Sequence, residues 1–347
     1  MSRLLQCYDA GNGAQLLWID AQDYAALLLC GGTPPWTDAA SALAYLNKVQ
    51  GLIRSDVIDM MSEDLFLSTQ EVRVKYVYRN TSGADVTTRV AFPLPDIGWE
   101  FGEAPVDLPN PASPNFVDFR TTVDGQDIPL EVEMRAVIDS GLDVTEQVKA
   151  AGLPFHVTDF EAWDKLQTSM PLSQAKQLRD EGVIWLDLDP DTGAISYLRP
   201  RWTLKTTFHR MQTFPAGKDV VVEHVYKPVV GGSVGASYIY AEPDERAAIK
   251  TEYCIDAQFD AALQRMKKAT GDEGLIGERT MGYVLKTGAN WAKPIGTFHL
   301  TIEKDTPEQL ITLCAPGLKK TGPTRFELTR TDFSPEQDIQ IMMLQKF

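Results

Sequence analysis

Two histidines flank the turn Phe214-Pro215-Ala216-Gly217-Lys218-Asp219, His209 before it and His224 after it. If the flanking segments pair as a hairpin with Thr213 opposite Val220, His209 lies opposite His224. Two imidazoles so placed are close enough to share a divalent metal. A slip of one residue pairs His224 with Arg210 instead and sets Phe208 opposite Tyr226. Alternation points Arg210 and Glu223 to the other face, so no third ligand is evident. Two cross-strand polar residues on a half-exposed sheet is the competing reading. No cofactor is expected, and a divalent metal is the alternative.

Gly231-Gly232-Ser233-Val234-Gly235 follows that segment. Such a run can cradle a phosphate through its amides when it follows a strand and opens a helix. Here Tyr238-Ile239-Tyr240 gives no helix start and the GK[ST] ending is missing, so Gly231, Gly232, Ser233 and Gly235 read as an inter-strand loop. Ser233 with His224 and Asp244 is a conceivable nucleophile set. It lacks the strand–elbow–helix context that exposes a serine nucleophile.

A third constellation is the segment 96–107, with Asp96, Glu100, Glu103 and Asp107. Its oxygens suit Ca²⁺ in principle, but the spacing is not that of an EF-hand. Trp99 and Phe101, beside Asp96 and Glu100 on a proline-stiffened loop, suit a binding surface for a protein partner or a second copy. Trp291 reads as a core plug at a strand entry. Of the cysteines, Cys7, Cys30, Cys254 and Cys314, none forms a CxxC pair, which removes zinc-ribbon and thioredoxin-type chemistry. A Cys254–Cys314 disulfide is expected if the protein occupies an oxidising compartment; four buried thiols in a cytosolic protein is the alternative.

The chain has 347 residues, 44% hydrophobic and 23% charged, as in ordinary globular proteins. Its formal charge of −15 argues against a protein that tracks nucleic-acid phosphates and against docking on anionic lipid by charge alone. No run approaches the ~20 apolar residues of a transmembrane helix. Arg3 alone precedes a polar stretch, and the best early apolar run, 25–30, follows Asp20 and Asp23, which is not the pattern of a signal peptide.

These residues need positioning elements. Val72, Val74, Tyr76 and Tyr78 alternate with Arg73, Lys75 and Arg79, and Val86, Thr88, Val90 and Phe92 continue the pattern after a turn at 80–85. That period marks strands buried on one face and predicts a hairpin. Trp202, Leu204, Thr206, Phe208, Arg210 and Gln212 fall on one face of a longer strand, and 220–226 returns from it. Residues 3–8 and 16–20 around the turn 9–13 predict an N-terminal hairpin, with short helices to follow before residue 51. Segments 143–151 and 159–182 read as helical, the latter split by Pro171, and 256–269 as a helix with Phe259, Leu263 and Met266 on one stripe.

Several long stretches then point to a family. SEDLFLSTQEVRVKYVYRNTSGADVTTRVAFPLPD (62–96), VDLPNPASPNFVDFRTTVDGQDI (106–128), WTLKTTFHRMQTFPAGKDVVVEHVYKPVVGGSVG (202–235), TGANWAKPIGTFHLTIEK (287–304) and KKTGPTRFELTRTDFSPEQD (319–338) resemble the bacterial domain of unknown function 4424 family over about 51–347. The resemblance implies no biochemical activity. It implies a secreted or periplasmic protein, usually with a signal peptide just before the first strand; here residues 1–50 look folded instead, so a cytoplasmic location is the alternative. Asn80-Thr81-Ser82, Phe92-Pro93-Leu94-Pro95 and Asp124-Gly125 are also similar, distantly, to the vault-protein and inter-alpha-trypsin-inhibitor β-sandwich domain.

The expected fold is mainly β. It comprises a small α/β extension (1–50), a first antiparallel sandwich-like region (51–139), a helical insertion (140–200) and a second sandwich-like region (201–347). The expected function is a non-enzymatic binding or assembly module of the bacterial cell envelope. A metal-dependent or serine hydrolase centred on 205–235 is the alternative.

Overall fold

The computed structural model describes residues 3–9, 13–19, 56–98, 108–110, 113–271, 275–286, 288, 291 and 293–346. The chain divides into two compact units, Met1–Ile53 and Arg54–Phe347. In the first, β1 (Arg3–Asp9) and β2 (Gly13–Ile19) form the expected antiparallel hairpin, from Arg3 opposite Ile19 to Asp9 opposite Gly13. The short helices expected after it lie outside the described residues.

In the second unit the strands in chain order are β3 (Ile58–Leu67), β4 (Val72–Asn80), β5 (Val86–Pro93), β6 (Arg120–Val123), β7 (Gln126–Asp127) and β8 (Glu131–Ile138). Helices α1 (Thr145–Ala150), α2 (Phe160–Ser169) and α3 (Leu172–Asp180) follow. Next come β9 (Ile184–Leu188), β10 (Ile195–Pro200), β11 (Trp202–Phe214), β12 (Asp219–Tyr226) and β13 (Gly231–Ser233). Helices α4 (Ser237–Tyr240), α5 (Pro243–Glu252) and α6 (Ala257–Thr270) precede β14 (Ile276–Tyr283), β15 (Ile295–Glu303), β16 (Leu310–Thr312), β17 (Lys319–Lys320), β18 (Arg325–Phe333) and β19 (Ile339–Lys346). The fold is mainly β, as expected.

An eight-stranded sheet in the order β17-β18-β15-β3-β4-β12-β6-β7 forms the frame. Its one parallel pair is β15 with β3. A three-stranded sheet β5-β11-β8 and a four-stranded sheet β13-β14-β19-β16 complete the body. Strands from 58–80 and from 219–333 share the large sheet, so the two β regions interleave. The insertion keeps the split at Pro171, between α2 and α3, and adds the β9–β10 hairpin, which sequence periodicity did not mark. It packs on the start of β11 through Trp163 and Trp202, whose rings lie 5.5 Å apart.

Both expected hairpins turn out to be arches. β4 pairs with β3 and β12, while β5 pairs with β11. Likewise β11 lies in the three-stranded sheet and β12 in the eight-stranded one. Each turn carries the chain from one layer to the other, so the inner faces oppose across the core. Alternation looks the same in either case, because it reports which side is buried and not which strand is adjacent. Accordingly the predicted inward faces hold: Val72, Val74, Tyr76 and Tyr78 on β4 are buried, as are Trp202, Leu204, Thr206, Phe208, Arg210 and Gln212 on β11. Trp291 packs on Tyr78, with ring centres 4.6 Å apart, as a core plug should.

Asn80 ties the two arches together. Its side-chain N–H groups donate to Ala84 O and to Phe214 O, each at 2.8 Å, and its Oδ1 accepts from Ser82 N at 2.9 Å. Its main-chain oxygen accepts from Gly217 N at 3.0 Å. The residue is fully buried, so every lost bond leaves an unpaired group out of water. Asn80→Ala is expected to lower stability by about 3 kcal/mol, read as a drop in urea midpoint at unchanged slope.

A bulge in β3 sets the interior chemistry. Pairing with β4 runs Met60 opposite Tyr78 and then Ser62 opposite Val77, leaving Met61 as the extra residue. The side-chain parity flips there. Ile58 and Met60 face inward before the bulge; Glu63, Leu65 and Leu67 face inward after it. Gly296 on β15 makes room, since a Cβ there would stand 2.6 Å from Met61 O.

Candidate functional site

Inside the body, the bulge delivers a carboxyl group to an apolar interior. Glu63 is 2% exposed, and Tyr283 Oη on β14 donates to its Oε1 at 3.3 Å. The Tyr283 and Tyr76 hydroxyls lie 3.0 Å apart. Burial pushes the Glu63 carboxyl up to about 8, against the pull of the Tyr283 hydrogen bond. It is therefore largely an uncharged acid at neutral pH. Burial also pushes the Tyr76, Tyr78 and Tyr283 hydroxyls well above their ordinary range.

His224 sits in the same layer. Its Nδ1 is 2.7 Å from Thr121 Oγ1, and the rings of Phe92, Phe119 and Tyr76 surround it at 5.0, 5.1 and 5.7 Å. Burial, with the Arg210 charge adding to it, pushes the imidazole down to about 3. Arg210 bonds Gln212 and is buried, and its Nε has no acceptor among the described residues. This cluster holds a neutral acid and a neutral base between sheets, and its contacts are those of a buried polar core.

The predicted site residues are not brought together. His209 points to the other face of β11, where its Nδ1 is 3.8 Å from Glu131 Oε2. Its neighbours across the sheet are Ala91 and Glu131, whereas those of His224 are Val74 and Thr121. The two-histidine metal pair required β11 and β12 to be adjacent, and they are not. Among the described residues no group of three or more His, Cys, Asp or Glu side chains is placed to hold a metal.

The glycine-rich segment is a strand and not a free loop: Gly231, Gly232 and Ser233 pair with Thr280, Arg279 and Glu278. A Cβ at Gly232 would lie 2.9 Å from Glu278 O, so this glycine serves close strand approach. Gly235 similarly lies against the Tyr240 ring. A short helix does follow, and the Glu278 carboxylate already takes its first amide and hydroxyl, Ser237 N at 2.8 Å and Ser237 Oγ at 2.6 Å. Asp244 is exposed in the first turn of α5, and His224 bonds Thr121, so no triad assembles around Ser233.

Asp96 pairs with Lys205 at the surface. Trp99, Glu100 and Phe101 lie outside the described residues. Cys254 and Cys314 are joined in a disulfide with Cα atoms 5.0 Å apart. It links the turn after α5 to the segment after β16, beside a second core of Tyr238, Ile255, Phe259, Leu263 and Met266.

On the outer face of the eight-stranded sheet lies a cleft of about 260 Å³, lined by Asp64, Phe66, Arg73, Lys75, Glu223, His299, Thr301 and Arg325. Register builds it. Glu223, Lys75, Asp64 and His299 stand in one row across β12, β4, β3 and β15. Arg73, Phe66, Thr301 and Glu327 make the next row, from β4 to β18. Lys75 Nζ is 3.1 Å from Glu223 Oε1, and His299 Nδ1 is 3.2 Å from Asp64 Oδ1. Arg73 pairs with Glu71 at 2.9 Å and Arg325 with Glu327 at 2.8 Å. The Arg73 guanidinium lies 4.9 Å from the Phe66 ring centre. Sequence reasoning saw Arg73 and Lys75 as outward residues but had no signal for what stood beside them, since the partners come from strands far along the chain.

The family model for the domain of unknown function DUF4424 matches residues 46–342. The chain belongs to this family. None of the curated proteins compared with this family member matches it. Among solved structures it is similar to a "putative nutrient binding protein" from Legionella pneumophila subsp. pneumophila str. Philadelphia 1. That match has 16% identity and a TM-score of 0.41, covering 84% of this chain and 68% of that one. It is also similar to an M1 zinc metallopeptidase from Deinococcus radiodurans, with 8% identity and a TM-score of 0.26, over 84% of this chain. The DUF4424 chain spans 43% of the metallopeptidase chain.

Proposed function

We propose that the protein is a non-enzymatic binding module of the bacterial cell envelope, with its ligand taken on the outer face of the eight-stranded sheet. The observation that carries this reading is the cleft over Phe66 and Thr301. It gathers hydrogen-bonding side chains from five strands of one sheet, and sites on sheet elements are held more precisely than sites on loops. His209, His224 and Ser233 stand on three different strands, which supports a binding role over the hydrolase alternative. The Cys254–Cys314 bridge supports an oxidising compartment.

The location is tested on protein isolated from its own host, alkylated before lysis and weighed under non-reducing conditions. The expected result is a Cys254–Cys314 peptide pair linked by a disulfide. Alkylated thiols at both positions would place the protein in a reducing compartment and end the envelope reading.

A further inference from the structure

The outer cleft is lined by charges that are already matched. Three permanent cations, Arg73, Lys75 and Arg325, face Asp64 and Glu223, with Glu71 and Glu327 paired just outside. His299 completes the set against Asp64. A cleft built for an anion would leave a cation unpaired, and here Arg73, Lys75 and Arg325 each have a carboxylate partner, in a chain of net charge −15. A cleft built for a cation would leave a carboxylate unpaired, and each carboxylate here has a basic partner. What the lattice offers is donors and acceptors side by side on neighbouring strands, about 4.8 Å apart. Ionised partners make the stronger hydrogen bonds. The floor adds the Phe66 ring and the Thr301 side chain.

Groups that donate and accept at adjacent atoms are hydroxyls on a carbon ring. Resting on the binding reading above, we propose that the cleft recognises a neutral polyhydroxylated ligand, a single saccharide ring, with hydroxyls bridging the Lys75–Glu223 and Asp64–His299 pairs and ring carbons against Phe66. The volume of about 260 Å³ is below the ~300–1,000 Å³ of drug-sized pockets. That limits the cleft itself to one ring, with any longer chain continuing over the sheet.

The test is a titration of the full chain, followed by the His299 ring-proton and Thr301 amide resonances. The probes are glucose, galactose and N-acetylglucosamine, with sodium phosphate and glycine as the charged and zwitterionic comparisons. The expected result is saturable shifts at both residues with at least one sugar, at a Kd near 1 mM or tighter. The affinity is unchanged between low and high salt, because a neutral ligand is not screened. Lys75→Gln and Arg325→Gln, both on exposed side chains, are each expected to weaken it at least fivefold while leaving the urea midpoint unmoved. Shifts at these residues with phosphate or glycine, falling with salt and without any sugar response, would overturn the ligand class and keep the binding reading. No response of these residues to any probe would overturn the proposal itself. The binding reading would then rest on its own test.

Discussion

Raising the pH from 6.5 to 8 is expected to lower the unfolding free energy by about 2 kcal/mol, and Glu63→Gln is expected to remove that loss. The Glu63 carboxyl is raised by burial to about 8 from an ordinary 4.5. The folded state therefore holds a proton that the unfolded state has released. Its contribution is fully present below pH 4.5 and is lost as pH rises toward 8. His224 works the other way. Its imidazole is pushed down from 6.5 to about 3, so its contribution is present above pH 6.5 and is lost as pH falls toward 3. Between 4.5 and 6.5 the two slopes oppose each other. Above 6.5 only Glu63 acts, and a little over one pH unit at 1.36 kcal/mol per unit gives about 2 kcal/mol.

The groups packed about Glu63 do not rescue the charge. Tyr76 and Tyr78 on β4, Tyr283 on β14 and Tyr226 on β12 all have hydroxyls raised by burial. The Arg210 charge on β11 acts on Tyr78 and His224. Urea unfolding at pH 5.5, 6.5 and 8 checks the expectation. An equal fall from 6.5 to 8 in wild type and Glu63→Gln would show that another group carries the dependence.

Loss of the Cys254–Cys314 bridge is the second large effect, an expected fall of about 4 kcal/mol. The bridge closes a loop of 60 residues, and a closure of that length restricts the unfolded chain by about this much in the chain-entropy treatment. The loop includes α6 and β14, so the damage is expected to be local first. In Cys254→Ser/Cys314→Ser, amides of α6 and of β16 should exchange faster, while those of β4 and β12 in the large sheet change little. Measured exchange that is unchanged in α6 and β16 would contradict this placement of the loss beside the second core.

What the chain reveals by itself and what it hides follow one rule. Local facts are legible: the buried faces of β4 and β11, the break at Pro171, and the helix that starts at Asp256, whose side chain accepts from Phe259 N at 2.8 Å. Adjacency is not. Val72–Tyr78 and Val86–Phe92 alternate identically whether they pair or face each other, so arches read as hairpins and the His209–His224 pairing followed from that. The bulge at Met61 is hidden for the same reason, since one extra residue reverses parity without changing composition, and nothing in the sequence marks Glu63 as an inward acid. Helix α5 has start signals in Pro243, Asp244 and Glu245, but it buries no side chain, so periodicity is silent there. The cleft was the least legible feature. Its residues come from β3, β4, β12, β15 and β18, and only the register of the sheet sets them side by side.

The most direct test of the binding account is a native mass spectrum of the full chain re-equilibrated with a concentrated small-molecule extract of its own host, followed by the spectrum of the same sample unfolded. The account predicts a bound small-molecule mass that is shed on unfolding and is missing from a Lys75→Gln/Arg325→Gln chain prepared identically. A bare chain in both spectra, or a bound mass retained equally by the variant, would contradict the outer sheet face as the binding site.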